Sequence, residues 1–151
     1  MSDLRSGSVF KVRGYRTGDF AAIQHLWERT GMGSPLRGDN ESTIEESLRI
    51  GGSFFILEEE KSGIIAGTSW LTYDGRRIML HHFAVLPEFQ GKGLSKVLLS
   101  ASLKFVREKG CQVKLEVNRS NYKAISLYNK YGFTKLGDYD VYIIRDIHSI
   151  R

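Results

Sequence analysis

The chain has 151 residues, 41% apolar and 26% charged, with a formal net charge of +5 and one cysteine. That composition fits a single soluble globular domain with its own core, residues 1–151, in which residues 1–8 form a frayed polar tail. No apolar run reaches membrane-spanning length, and the lone Cys111 excludes an intramolecular disulfide or a thiolate metal site.

Val9 to Arg16 alternates as a first strand. Thr17 is an N-cap in type and Asp19 falls in the first turn of a helix whose apolar positions are Phe20, Ile23, Leu26 and Trp27. Gly31 to Asn40 is loop by composition, and Glu41 to Ile50 reads as a second helix ended by Gly51 and Gly52. Ser53 to Glu59 and Ile64 to Tyr73 form a hairpin, and Asp74-Gly75 turns the chain into a further strand, Arg76 to Leu86. A helix from about Leu94 to Lys109 carries one apolar stripe and meets a C-cap at Gly110. Gln112 to Val117 is a strand, and Ser120 or Asn121 caps a helix closed by Gly132. Phe133 to Lys135 and Val141 to Asp146 read as two last strands. The order implies an α+β fold, with a mixed, mainly antiparallel sheet of about seven strands and helices on both faces.

The stretch His82 to Leu99 organises the rest: an apolar strand, a proline, a short turn with Gly91 and Gly93, then a helix. A helix entered through such a turn offers free backbone N–H groups and a dipole that suit an anion, most often a phosphate. It is not a P-loop, because Lys92 precedes Gly93 rather than Ser or Thr and Leu86 stands where the first Gly belongs. It is not a dinucleotide fingerprint, because Lys96 takes the place of the third Gly.

The turn resembles motif A of the GCN5-related N-acetyltransferases (GNAT), [QR]-x-x-G-x-[GA], which follows an apolar-Val-x-Pro run. Gln90, Gly93 and Ser95 occupy its positions after Ala84-Val85-Leu86-Pro87, with Ser95 in place of the usual Gly or Ala. Downstream, Asn121 to Phe133 resembles the family's closing motif, N-x-x-A-x-x-[LF]-Y-x-K-x-G-F, at every fixed position.

The resemblance implies a GNAT-like fold and an N-acetyltransferase that moves an acetyl group from acetyl-CoA, its cosubstrate, to a primary amine by direct attack, with no metal. The amine belongs to a small molecule, a peptide or a protein. Backbone groups of Gln90, Gly91, Lys92, Gly93, Leu94 and Ser95 would hold the CoA pyrophosphate. Ala84, Val85 and Leu86 would pair with the pantetheine arm, where the fourth and fifth strands splay apart in this family. Asn121 would bond near the cofactor, and Tyr128 would protonate the departing thiolate, which a phenol does without adding fixed charge; the alternative for Tyr128 is a core aromatic.

Strand alternation places Met79, His81, Phe83 and Val85 on one face and Leu80, His82 and Ala84 on the other. By its parity His81 matches the family's base position, with a water relay or Glu116 on the next strand as alternatives. His82 then reads as structural. The family commonly lines its acceptor pocket with the first two helices and their loop, which nominates Trp27, Arg37 and Asp39 by placement. Arg37 suits a carboxylate and Asp39 an amine, although either also reads as a solvated loop charge. Competing functions are a noncatalytic acyl-CoA-binding or sensor module on the same fold and, from the net charge, a basic nucleic-acid-binding domain; no nucleic-acid motif is present. A homodimer is compatible with the chain. Without a signal peptide's apolar core at the N-terminus, the expected compartment is the cytoplasm, with no membrane partner.

Overall fold

The computed structural model describes residues 7–151; residues 1–6 of the expected frayed tail lie outside the described residues. The chain divides into two compact units, Met1–Glu116 and Val117–Arg151. The first unit holds a sheet of five strands in the order β1 (Phe10–Gly14), β2 (Ser53–Glu59), β3 (Ile65–Tyr73), β4 (Ile78–Val85) and β5 (Val113–Leu115). The first four pair antiparallel, in the registers Val12↔Leu57, Phe55↔Ser69 and Leu71↔Leu80. β5 lies parallel to β4 because the chain between them passes through the helix α3 (Leu94–Lys109), and a parallel return needs such a crossover. The sheet is mixed and mainly antiparallel, as the element order implies.

Side chains of β3 show how helices cover both faces. Thr68 and Trp70 point toward α1 (Phe20–Arg29) and α2 (Glu41–Arg49): Trp27 Nε1 donates to Thr68 Oγ1 (3.0 Å) and Trp70 Nε1 donates to Ser47 Oγ (2.8 Å). Gly67 and Ser69 point the other way. The hydroxyls of Ser69 and Ser102 on α3 bond at 2.7 Å, and a Cβ added at Gly67 would lie 3.3 Å from Leu98 Cδ2. These buried polar groups all find partners, which removes the cost of burying them. The core between the layers is built from Ile23, Leu26, Trp27, Ile44, Phe54, Ile56 and Leu98.

The helices begin as their first residues allow. α1 starts at Phe20 with Asp19, not Thr17, at its N-cap, and no side chain caps it. The Asp19 carboxylate is engaged by Arg16 N–H (2.7 Å) and by both terminal nitrogens of Arg13 (2.9 and 3.0 Å), so it ties β1 to the helix entry instead. α2 carries a true cap: Asn40 Oδ1 accepts from Thr43 N–H at 2.9 Å.

The second unit contains α4 (Tyr122–Lys130). Asn121, rather than Ser120, is its cap, with Oδ1 accepting from Ala124 N–H at 3.2 Å. The helix closes at Gly132, where φ is +96° and Phe133 N–H returns to the Tyr128 carbonyl (3.1 Å). Neither Phe133 to Lys135 nor Val141 to Asp146 forms a strand, so the sheet has five strands among the described residues, not about seven. A run such as Val141-Tyr142-Ile143-Ile144 has strand propensity, but propensity is realised only where a neighbour takes the ladder bonds and one face is buried. Here Val141 and Tyr142 are 71% and 91% exposed.

Candidate active site

The site is organised by a bulge in β4. Between Thr68↔Ala84 and Trp70↔His81 the ladder slips, so that His82 and Phe83 together oppose Ser69. His82 absorbs the extra residue with φ +48°, the only positive value at a non-glycine among the described residues. In that left-handed region a side chain costs about 1–2 kcal/mol. The bulge resets the alternation. Beyond it Ala84 pairs with Thr68, on the α1–α2 face, whereas Val85 pairs with Gly67 on the α3 face. The expected division of His81 from His82 is therefore corrected. Both rings pack tilted against Trp70, with centroids 5.9 and 5.6 Å away, and lie 6.4 Å from each other.

The two histidines have different partners. His81 Nε2 is 2.7 Å from Thr72 Oγ1. His82 Nε2 is 3.3 Å from Asp39 Oδ1, and its ring rests on Trp27 at 4.5 Å between centroids. The His82 carbonyl accepts from Thr68 Oγ1 (2.8 Å), the same hydroxyl that receives Trp27 Nε1–H. Trp27 thus lies buried beneath His82 and fixes it from below. Burial, above all, holds both imidazoles below their usual range, against the opposing pull of Asp39; His82 lowers His81 further, as Arg37 lowers His82. Both are neutral near pH 7 and able to accept a proton.

Above His82 opens a cavity of about 350 Å³ lined by Gly31, Met32, Gly33, Arg37, Asp39 and His82. Its wall is the loop read from the sequence, shaped by a 3-10 turn over Pro35–Arg37 that ends at Gly38 in the left-handed conformation, φ +86°. Ser34 N–H donates to Asp39 Oδ2 at 2.7 Å and so aims the other carboxylate oxygen at His82. Arg37 and Asp39, nominated by placement, come together here with His82, which strand parity puts on the opposite face. Glu116 stands one residue past β5, exposed, and no hydrogen bond or ion pair joins it to either histidine among the described residues.

At the other end of β4 the chain makes a 3-10 turn, Pro87–Phe89, and enters α3 through Gly91 and Gly93, both at φ +77°. No side chain caps α3, its first turn holds no acid, and Lys92 and Lys96 flank it. The Leu94 and Ser95 N–H groups therefore lack the intrahelical acceptors that later residues have. A Cβ added at Gly91 or Gly93 would meet nothing within 4 Å, so the approach is open. The Gln90 side chain turns inward, where its Nε2 donates to the Val85 carbonyl (2.8 Å) and pins the turn to the strand. Leu86 N–H is likewise engaged, by the Ala66 carbonyl at 2.8 Å. β4 pairs with β5 only from Ile78 to Leu80, which leaves its later residues without a strand on that side. β5 ends at Leu115, so the later part of β4 is unpaired on that side because β5 is short.

In the second unit Tyr128 is buried, with its ring edge-on to Phe133 at 5.6 Å. Burial pushes its phenol up to about 12, so it remains protonated through the physiological range.

The model of the acetyltransferase (GNAT) family matches residues 20–133. The chain belongs to the GNAT acetyltransferase family. Its activity is accordingly that of an N-acetyltransferase, with acetyl-CoA as the family's cosubstrate. The ribosomal-protein-S18-alanine N-acetyltransferase of Escherichia coli is similar at 25% identity and TM-score 0.70, over 83% of this chain and 78% of that one. Glucosamine-6-phosphate N-acetyltransferase of Arabidopsis thaliana shares the fold at 21% identity and TM-score 0.72, over 92% and 99%. An aminoglycoside N-acetyltransferase solved in complex with CoA does so at 20% identity and TM-score 0.70, over 93% and 97%.

For this GNAT chain the cofactor fits the residues present. A pyrophosphate requires unpaired N–H groups and close backbone approach, which the uncapped start of α3 and its two glycines provide. Among the described residues no group of three metal-ligating side chains occurs, and no helix is long and apolar enough to cross a membrane. The placement that sequence reasoning missed is that of His82, beside Asp39 at the cavity. Its neighbours include no Gly or Pro to signal a bulge, so period-two alternation runs straight through it on the sequence alone.

Proposed function

We propose that this acetyltransferase moves the acetyl group of acetyl-CoA to a primary amine by direct attack of the amine on the thioester, and that both units belong to one acetyltransferase domain. The observation that carries the reading is the unpaired length of β4, which runs from two neutral imidazoles to the uncapped start of α3. Backbone groups of Gln90 to Ser95 hold the pyrophosphate, and the strand face of Ala84 to Leu86 lies along the pantetheine arm, with Asn121 near the cofactor. A β4 imidazole takes the amine proton. Tyr128, kept protonated by burial, returns a proton to the thiolate that leaves with the C–S electron pair. The names of the solved relatives support an amine acceptor, since a protein alanine and an amino sugar are both amines.

Thiol release from acetyl-CoA across a panel of amines tests the reading. At least one amine is expected to be acetylated with saturation kinetics; CoA binding without turnover on any amine would leave a sensor on this fold. Tyr128→Phe is expected to lower kcat about a hundred-fold while the CoA dissociation constant changes little. An unchanged kcat would remove Tyr128 from the mechanism.

A further inference from the structure

His82, Asp39 and Arg37 form a cluster that the sequence left divided between a structural residue and loop charges. His82 lines the cavity with a strained backbone, whereas His81 does not line it and has its Nε2 engaged by Thr72. Asp39 is fixed by Ser34 N–H and stands with Oδ1 3.3 Å from His82 Nε2. An imidazole whose Nε2–H is held by a carboxylate keeps its lone pair on Nδ1. Arg37 lines the same cavity, exposed, and its guanidinium makes no hydrogen bond or ion pair among the described residues. A free guanidinium beside a carboxylate–imidazole pair presents one site for an anion and one for an amine within a single cavity.

We propose that this cavity is the acceptor subsite, that His82, held by Asp39, takes the proton of the acceptor amine, and that Arg37 selects amines bearing an acidic group, a carboxylate or a phosphate. The proposal rests on the acetyl-transfer reading above. The ammonium form gives one proton to His82, whose imidazolium Asp39 stabilises and which later passes that proton to water. The neutral amine attacks the acetyl carbon, the C–N bond forms and the C–S bond breaks. The thiolate leaves with the electron pair and takes the Tyr128 proton of the reading above, and the second proton lost by the nitrogen restores the phenol. One acetamide, one thiol and one released proton balance the ammonium and the thioester. The charged and titratable groups facing His82 are Asp39 and Arg37 from the loop and His81 from its own strand. The Arg37 cation also lowers the pKa of an amine held beside it, which eases the transfer.

Two acid–neutral pairs test this with the full chain: L-alanine against L-alaninamide, and glucosamine 6-phosphate against glucosamine. For one pair kcat/KM is expected to be about ten-fold or more higher for the acidic member, with the difference in KM and erased in Arg37→Gln. The pair that responds separates carboxylate from phosphate. Equal kcat/KM within both pairs, or selectivity that survives Arg37→Gln, overturns the proposal. His82→Gln is expected to lower kcat about a hundred-fold and abolish the acidic limb of the pH–rate profile, with CoA affinity by calorimetry unchanged. A full kcat with the limb in place overturns it. Should His82→Gln not fold, Asp39→Asn reads the same pair, because its amide oxygen still accepts from Ser34 while its charge is gone. If wild type acetylates no amine, the acetyl-transfer reading fails by itself, and calorimetry with the same compounds at saturating CoA judges the subsite. Tighter binding of an acidic member that Arg37→Gln removes supports it; equal binding within both pairs overturns it.

Discussion

At the residue scale, electrostatics divide the molecule into charges that hold the fold and imidazoles that burial keeps neutral. Arg13 is the clearest case of the first. Its guanidinium bonds Asp19 and also Glu58, at 2.9 Å, and all three side chains are mostly covered. Burial pushes the Asp19 carboxyl up, but the Arg13 hydrogen bonds and Arg16 N–H outweigh it and hold it below its ordinary range; Arg13 holds Glu58 low as well. A carboxylate with a depressed folded pKa binds fewer protons folded than unfolded through the acid range. Its stabilisation is whole above the ordinary carboxylate pKa and is lost as pH falls through the folded value. Arg13→Ala is therefore expected to cost about 2 kcal/mol near neutrality, because it strands two covered carboxylates. The gap from wild type should narrow between about pH 6 and about pH 3, as both carboxylates protonate. Urea melts at the two pH values measure it. A gap that stays constant would mean the loss comes from Arg13 packing alone. His82 is the opposite case: burial lowers its pKa and favours the neutral ring.

At the element scale, the contrast between helix starts carries function. α2 has Asn40 for a cap, whereas α3 begins at a left-handed Gly93 with no cap at all. An uncapped start buried without partners would be a fault in a fold; here the approach to it is open. Ser95, in the first turn, is the one signature position filled unusually. Ser95→Leu is expected to raise the CoA dissociation constant about ten-fold or more, since a bulky side chain blocks backbone approach, with the melting temperature little changed. Gly93→Ala should differ: a Cβ at φ +77° costs about 1–2 kcal/mol of stability as well. Normal CoA affinity in Ser95→Leu would mean that the anion binds elsewhere. These joints were legible in the sequence because their causes are local: a glycine pair, an apolar stripe, an Asn before a helix. The bulge at His82 was not, because it answers to the fit of β4 against β3 and leaves no mark in residue type. The meeting of His82 with Asp39 depends on that bulge and was hidden with it.

At the scale of the whole molecule, the two units differ in what each one holds. Among the described residues every strand and the main buried cluster, from Ile23 to Leu98, lie in Met1–Glu116. The second unit contributes α4, with Tyr128 on it, and a long exposed stretch that forms no strand. Two strands misread in that stretch show why: the β-branched and aromatic residues were there, but the neighbour and the buried face were not. A chain ending at Glu116 is expected to keep its sheet and a cooperative thermal transition, because none of that cluster is removed. It should also keep most of its CoA affinity, since the start of α3 and the β4 edge remain and only Asn121 is lost from the groups proposed to hold the cofactor. Its acetyl transfer should fall at least as far as that of the full-length Tyr128→Phe chain, about a hundred-fold, because the proton donor proposed for the thiolate is gone. Circular dichroism on heating, CoA calorimetry and thiol release read these three quantities separately. Loss of the cooperative transition would show that the sheet does not stand without Val117–Arg151. Retained turnover would return the thiolate proton to solvent and reduce Tyr128 to a packing role against Phe133.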